Sequence, residues 1–215
     1  MRHLRLAVFL PALILLSGCQ LLTPAAAPEP PLTRIQGTLT ADGNQWQLQA
    51  CNSDTQYRLI PSTELQAQLQ TLSADSPTSL FADISGTANT ADHSFSATQT
   101  YRLQAEGHGC DDPDFALLIL RASGNEPAWS ILQTPQGLIF NQMGEASLAL
   151  PYLEEQLPDG SVNISTQAND QHLQLWITPQ LCTDSMSGTL HHLRAQLQWN
   201  TQSFDGCAAF GALRN

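Results

Sequence analysis

Apolar and polar residues alternate along most of the chain after position 33, and that alternation sets its elements. From Arg34 to Thr40, Ile35, Gly37 and Leu39 share one side. The Asp42-Gly43 pair that follows is a hairpin signal, and Trp46, Leu48 and Ala50 resume the alternation. Gln56 to Ile60 predicts a third short strand. At Pro61 the period changes. Ser62 is placed to cap a helix, and Leu65, Leu69 and Leu72 recur at helical spacing until Ser73 to Thr78 breaks it. Leu80 to Ala88 and Ser94 to Ala105 predict two more strands, the second with Phe95, Ala97, Tyr101 and Leu103 on one face. The order β-β-β-α-β-β is that of an OB-type barrel.

The second half predicts strands alone. They cover Phe115 to Ala122, Ala128 to Thr134, Leu138 to Gln142, Ala146 to Tyr152, Ser161 to Gln167 and His172 to Thr178. Leu193, Ala195, Leu197 and Trp199 then face in while Arg194, Gln196 and Gln198 face out, and Ser203 to Phe210 closes the chain. Short strands with turns every eight to twelve residues predict a second small antiparallel barrel or sandwich. The fold class expected is mainly β. The domains expected are 33–109 and 110–215, with Gly107 to Asp114 as a solvated, Asp-rich boundary.

The first residues belong to neither half. Arg2, His3 and Arg5 precede an apolar run from Leu6 to Leu16, too short for a helix that crosses a bilayer, which needs about 20 residues. It ends in Leu16-Ser17-Gly18-Cys19, which resembles the bacterial lipobox. Residues 1–18 are therefore expected to be a lipoprotein signal peptide, with Cys19 carrying palmitate-type acyl chains. Each buried CH₂ of such an anchor contributes roughly 0.8 kcal/mol. Residues 19–32 hold the acylated cysteine and a Pro/Ala tether. Gln20 follows Cys19, and by resemblance to the sorting rule of enteric bacteria that implies the outer membrane, facing the periplasm.

Past Cys19 the chain has six arginines, no lysine and nineteen acids, a formal charge of −13. Such a surface argues against nucleic acid and against direct contact with anionic headgroups. Cys51, Cys110, Cys182 and Cys207 remain in what the leader makes an oxidising compartment. Three pairings exist for four cysteines. The one expected is one bridge in each half, Cys51–Cys110 and Cys182–Cys207. No C-x-x-C occurs, so a thiolate metal site is not expected.

Two segments carry the candidate site. Ser123 to Trp129 (SGNEPAW) is a bend, with Asn125 placed to bond its own backbone and Pro127 fixing φ. It is either a turn that buries Trp129 in the core or a surface loop that presents Glu126 to a partner. Cys182 to Gly188 (CTDSMSG) is a loop in which Asp184 and Ser187 can cap the turn. Glu126, Trp129, Asp184, Ser185 and Ser187 form the expected binding loop. Asp184, Ser185 and His191 match no nucleophile elbow, and no oxyanion donors accompany them. His191 and His192 are adjacent, so a strand sends them to opposite faces, which is poor geometry for one metal.

These two segments, with the terminal Asp-Gly-Cys-Ala, resemble an uncharacterised family of bacterial envelope lipoproteins that carry N-E-P-F-W and C-x-D-x-M-S…G-C motifs. Ala128 stands where that family has an aromatic residue. More distantly the chain is similar to META/HslJ-like domains, which implies a META-like second domain, and to NlpE-like copper-resistance and stress lipoproteins. The expectation is a non-enzymatic outer-membrane lipoprotein without a cofactor, acting as a periplasmic binding or envelope-stress module. Its partners would be the membrane, through Cys19, and a periplasmic protein or small ligand. Two alternatives stand beside it. One is a lysozyme-type inhibitor, since Ser185 to Leu190 resembles the loop of small lipoprotein inhibitors. The other is copper or zinc handling.

Overall fold

Residues 31–43, 45–74, 79–168 and 171–214 are described by a computed structural model; the expected signal peptide, the tether up to Pro30 and the Cys19 acylation site lie outside them. Strand β1 (Thr33–Asp42) turns through Gly43, at φ +61°, into β2 (Gln45–Ala50). Then come β3 (Gln56–Ile60) and helix α1 (Thr63–Leu72), whose Ser62 Oγ accepts the Leu65 N–H at 3.2 Å. Strands β4 (Ser79–Asn89) and β5 (Ser94–Gln104) complete the set.

Their pairing closes a ring. β1 pairs with β2 and β4, β2 with β3, β3 with β5, and β5 with β4, and only β3–β5 is parallel. This five-stranded ring with a helix between β3 and β4 is the OB arrangement. Leu39, Leu48, Leu59, Ile84, Phe95 and Leu103 fill it, and Leu65 and Leu69 of α1 join the same core. Each such buried side chain stabilises by about 1.5–3 kcal/mol.

Tyr101 departs from the predicted inner face. Two register shifts interrupt β4–β5, between Asp83 and Ile84 and between Ser85 and Gly86, so Tyr101 and Thr98 are extra residues on β5. Each bulge resets the alternation. Tyr101 thereby lies outside the ring, with Arg34 4.1 Å above its ring and His192 edge-on to it.

The second sheet is antiparallel throughout. It comprises β6 (Leu120–Asn125), β7 (Ala128–Thr134), β8 (Gly137–Gln142), β9 (Leu148–Leu150), β10 (Leu153–Gln156), β11 (Val162–Ala168), β12 (Gln171–Thr178), β15 (Leu193–Trp199) and β16 (Gln202–Phe210). The spatial order is β10-β11-β12-β15-β16-β6-β7-β8-β9. The two edge strands, β9 and β10, are consecutive in the chain, so the sheet curls around its core of Ile131, Phe140, Leu175, Leu197, Trp199 and their neighbours. Tyr152, in the link between those edges, donates its hydroxyl to the Thr134 carbonyl at 3.2 Å.

Three predicted elements change. Ala146 to Tyr152 is not one strand, because Pro151 lacks an N–H and ends the ladder at Leu150. Phe115 to Leu117 is a single 3-10 turn, closed by the Leu117 N–H on the Asp114 carbonyl at 2.9 Å, and the strand starts at Leu120. The Cys182–Cys207 stretch, whose terminal cysteines and alternating middle predict one disulfide-stapled closing hairpin, is split instead. Its front part forms β13 (Cys182–Thr183) and β14 (Leu190–His191), which pair with each other, and β14 then pairs with β5 of the first sheet. Its rear part forms β15 and β16. A piece of the expected 110–215 domain thus completes the sheet built by 33–104.

The Asp-rich boundary is less solvated than expected. Asp112 has a nearly buried carboxylate, 2.6 Å and 3.2 Å from the two terminal nitrogens of Arg121 on β6. Arg34 grips Asp83 of the neighbouring β4 with two hydrogen bonds, at 2.7 and 2.6 Å, and across the halves it donates to the carbonyls of Phe210, Gly211 and Arg214. Cys51–Cys110 and Cys182–Cys207 are both bridged, with Cα separations of 5.2 and 5.5 Å.

Candidate functional site

The β6–β7 turn and the β13–β14 loop meet at the end of the second sheet. Strand β6 pairs with β16 up to Ser123, opposite Cys207, and then with β7 alone. The indole of Trp129 lies across the gap this leaves and donates to the Asp205 carbonyl at 3.3 Å. A Cβ on Gly124 would strike the indole nitrogen and the Asp205 carbonyl, and one on Gly206 would strike the Ser123 carbonyl and the same indole. Glycine is required at both positions so that the ring can lie against the backbone. Trp129 is therefore core, with its one polar atom satisfied.

Asp184 organises the neighbouring loop. Its Oδ1 accepts the N–H groups of Met186 and Ser187 at 3.0 and 2.8 Å and lies 2.9 Å from the Ser187 hydroxyl. The Ser187 hydroxyl is also 2.8 Å from Thr189 Oγ1. Gly188 adopts φ +68° and sends its N–H to the Asp184 carbonyl, while the Asp184 N–H reaches Thr189. The loop is thus closed on itself. The second carboxylate oxygen, Oδ2, accepts the Asn125 side-chain amide at 2.9 Å, and that amide also reaches Ser185 Oγ at 3.2 Å. Partial burial opposes ionisation of Asp184, but the Ser187 N–H, the Asn125 amide, the Ser187 hydroxyl and the Met186 N–H outweigh it and hold its carboxyl below the usual carboxylate range.

The structure therefore brings Asp184, Ser185 and Ser187 to the SGNEPAW bend, but through Asn125, whose amide was expected to serve its own backbone. Glu126, beside a cis Glu126–Pro127 bond, is exposed at the tip of the turn. A recess of about 260 Å³ separates the two segments, walled by Asn125, Leu181, Asp184, Ser185, Arg194 and Asp205. Arg194 pairs with Asp205 at 2.8 Å on its rim and draws that carboxyl below its ordinary range. Met186 is 80% exposed on the pinned loop, and Leu181, just before the Cys182 bridge, is 50% exposed.

The remaining candidates have structural surroundings. His192 places Nδ1 2.9 Å from the Tyr101 carbonyl and its ring between Tyr101 and Phe210. Burial, and then Arg102, push His191 down to about 4. Burial also pushes His192 down to about 4, against the Tyr101 hydrogen bond, so both are neutral at pH 7. Cys51, Cys110, Cys182 and Cys207 are held in bridges, and among the described residues no three His, Cys, Asp or Glu side chains converge as a metal site. Leu181 and Met186 stand outside the binding loop that the sequence predicts, and Asn125 enters there only as a residue bonding its own backbone; an asparagine ahead of Glu-Pro carries no local sign that its amide will cross to another loop. No protein-family model, curated protein or solved structure matches this chain.

Proposed function

We propose that the chain is a non-enzymatic lipoprotein of the bacterial outer membrane, held by acyl chains on Cys19, whose folded body is a binding module facing the periplasm. Its recognition element is the Thr183–Gly188 loop with Asn125 and Glu126, and its partner is a periplasmic protein. The observation that carries this reading is an exposed apolar side chain, Met186, on a loop fixed by the Asn125–Asp184 hydrogen bond and the Cys182–Cys207 bridge. A loop ordered before binding loses little conformational entropy on docking, and flexible methionines suit irregular partner surfaces. Envelope stress supplies the setting that the resemblance suggests.

Lysozyme-type inhibition is the weaker reading, because it calls on the Ser187 hydroxyl, which here lies between Asp184 and Thr189. Copper or zinc handling is weaker again, because the four cysteines are oxidised to bridges.

The test is a photo-crosslinking amino acid placed at Met186 in living cells. The expected outcome is one discrete protein adduct, absent when the same residue is placed at Gln174 on the exposed face of β12 and lost with Asp184→Ala. The same adducts from both positions would sink the reading. Cys19→Ser is expected to move the protein from the membrane fraction to the soluble one.

A further inference from the structure

A second cleft, of about 680 Å³, is bounded by the start of β1, the end of β2, Ser85 of β4 and Gln99 and Tyr101 of β5, and it shares no lining residue with the recess beside the Asp184 loop. That falls within the roughly 300–1,000 Å³ of small-molecule sites. Its walls combine Gln36, Ser85, Gln99 and Tyr101 with the apolar Ile35 and Ala50. Arg34 is the single charged residue among those that line it, and Asp83 neutralises it at 2.6 Å.

Two independent features set this surface apart from an ordinary barrel wall. The two β5 bulges, at Thr98 and Tyr101, flank Gln99 and fall on the strand that faces the cleft. Bulges of this kind re-aim side chains beside functional sites. The second feature is Ser85. It is 5% exposed, and its hydroxyl has no hydrogen-bond partner. A buried hydroxyl left unpaired costs free energy that a ligand group can recover.

We propose that this cleft binds an uncharged, N-acetylated saccharide. β1, β4 and β5 are each paired on both sides, so the floor offers no free strand edge to an extended peptide. What it offers is dispersed side-chain amides and hydroxyls, which match the scattered hydroxyl and acetamido groups of a sugar. Ile35 and Ala50 suit the acetyl methyl group. A charged ligand finds no partner, because the Arg34 guanidinium is already engaged by Asp83 and three carbonyls.

The probe is N,N′-diacetylchitobiose, titrated calorimetrically into the purified full chain. Saturable binding is expected at millimolar sugar or below. Gln99→Ala and Ser85→Ala are each expected to weaken it roughly tenfold, the loss of about one hydrogen bond to a buried group. Ser85→Ala carries a signature that a merely damaged fold would not give: the thermal midpoint stays or rises, because an unpaired buried hydroxyl is removed, while sugar binding falls. Met186→Ala, in the other site, leaves sugar binding unchanged. No saturable binding at millimolar sugar overturns the proposal, as does binding that survives both cleft substitutions. So does uptake of a capped tetra-alanine peptide in place of the sugar.

Discussion

The Asn125 side-chain amide donates to Asp184 Oδ2 at 2.9 Å, across 59 residues of chain. Asp184 divides its carboxylate between two tasks: Oδ1 closes its own loop through Met186 and Ser187, and Oδ2 fixes that loop to the second sheet. The Cys182–Cys207 bridge ties the same loop to β16. One short segment is thus anchored to both sheets, since β14 pairs with β5 of the first.

Acid should weaken the fold before the carboxylates titrate. His191 and His192 are held near 4 in the folded chain. An unfolded histidine titrates at about 6.5. The unfolded state therefore binds more protons between these values, and stability falls as pH drops from about 6.5 to 4 and is flat above 7. Linkage sets a ceiling of about 3 kcal/mol for each ring. His191 faces Arg102, Arg121, His192 and Asp184, and His192 faces Arg34, Asp83 and the Tyr101 carbonyl, so cationic neighbours add to burial. Urea unfolding from pH 8 to pH 4 measures the slope, and His192→Gln should roughly halve it.

Removing the Cys182–Cys207 bridge with Cys182→Ala and Cys207→Ala releases a closure of 25 residues. The expected cost is about 3–4 kcal/mol on chain-entropy grounds. Amide exchange should rise most in 183–191, because β13 and β14 are only two residues each. An unchanged urea midpoint contradicts this.

Gly206→Ala should be among the costliest small substitutions in the chain. Its new methyl meets the Ser123 carbonyl and the Trp129 indole, neither of which can move without opening β6 from β16. A loss above about 3 kcal/mol is expected, in the tail that marks a packing clash, with a changed Trp129 fluorescence spectrum.

Arg34→Ala leaves Asp83, 1% exposed, without its guanidinium partner and frees the carbonyls of residues 210, 211 and 214. Breaking a buried pair from one side costs about 3–5 kcal/mol. Arg34→Leu combined with Asp83→Leu should cost less than Arg34→Ala alone, and chemical denaturation of the variants decides it.

Much of the fold was legible where a single period ran unbroken. Leu39, Leu48 and Leu59 sit on strands with strict alternation, and Leu65 and Leu69 on one helical stripe, so the β-β-β-α-β-β order could be read directly. Tyr101 was misplaced because a bulge adds one residue to one strand, and no local composition announces it. Strands β13 and β14 are too short to show any period, so their transfer to the first sheet could not be seen. Asp112 looked solvated because its partner, Arg121, comes to it only when β6 forms. The two halves of the candidate site were each visible as motifs. Their connection was not, since Asn125 reaches Asp184 through tertiary placement alone.

The central claim is that the SGNEPAW bend and the Asp184 loop are one site, and a double-mutant cycle tests it most directly. Amide exchange of residues 184–189 is measured in the parent chain, Asn125→Ala, Asp184→Ala and the double variant. The expected result is faster exchange in each single variant, a double variant scarcely faster than Asp184→Ala, and a coupling of about 1.5–3 kcal/mol, as for a hydrogen bond to a charged group. Additive effects, with coupling near zero, would contradict the account.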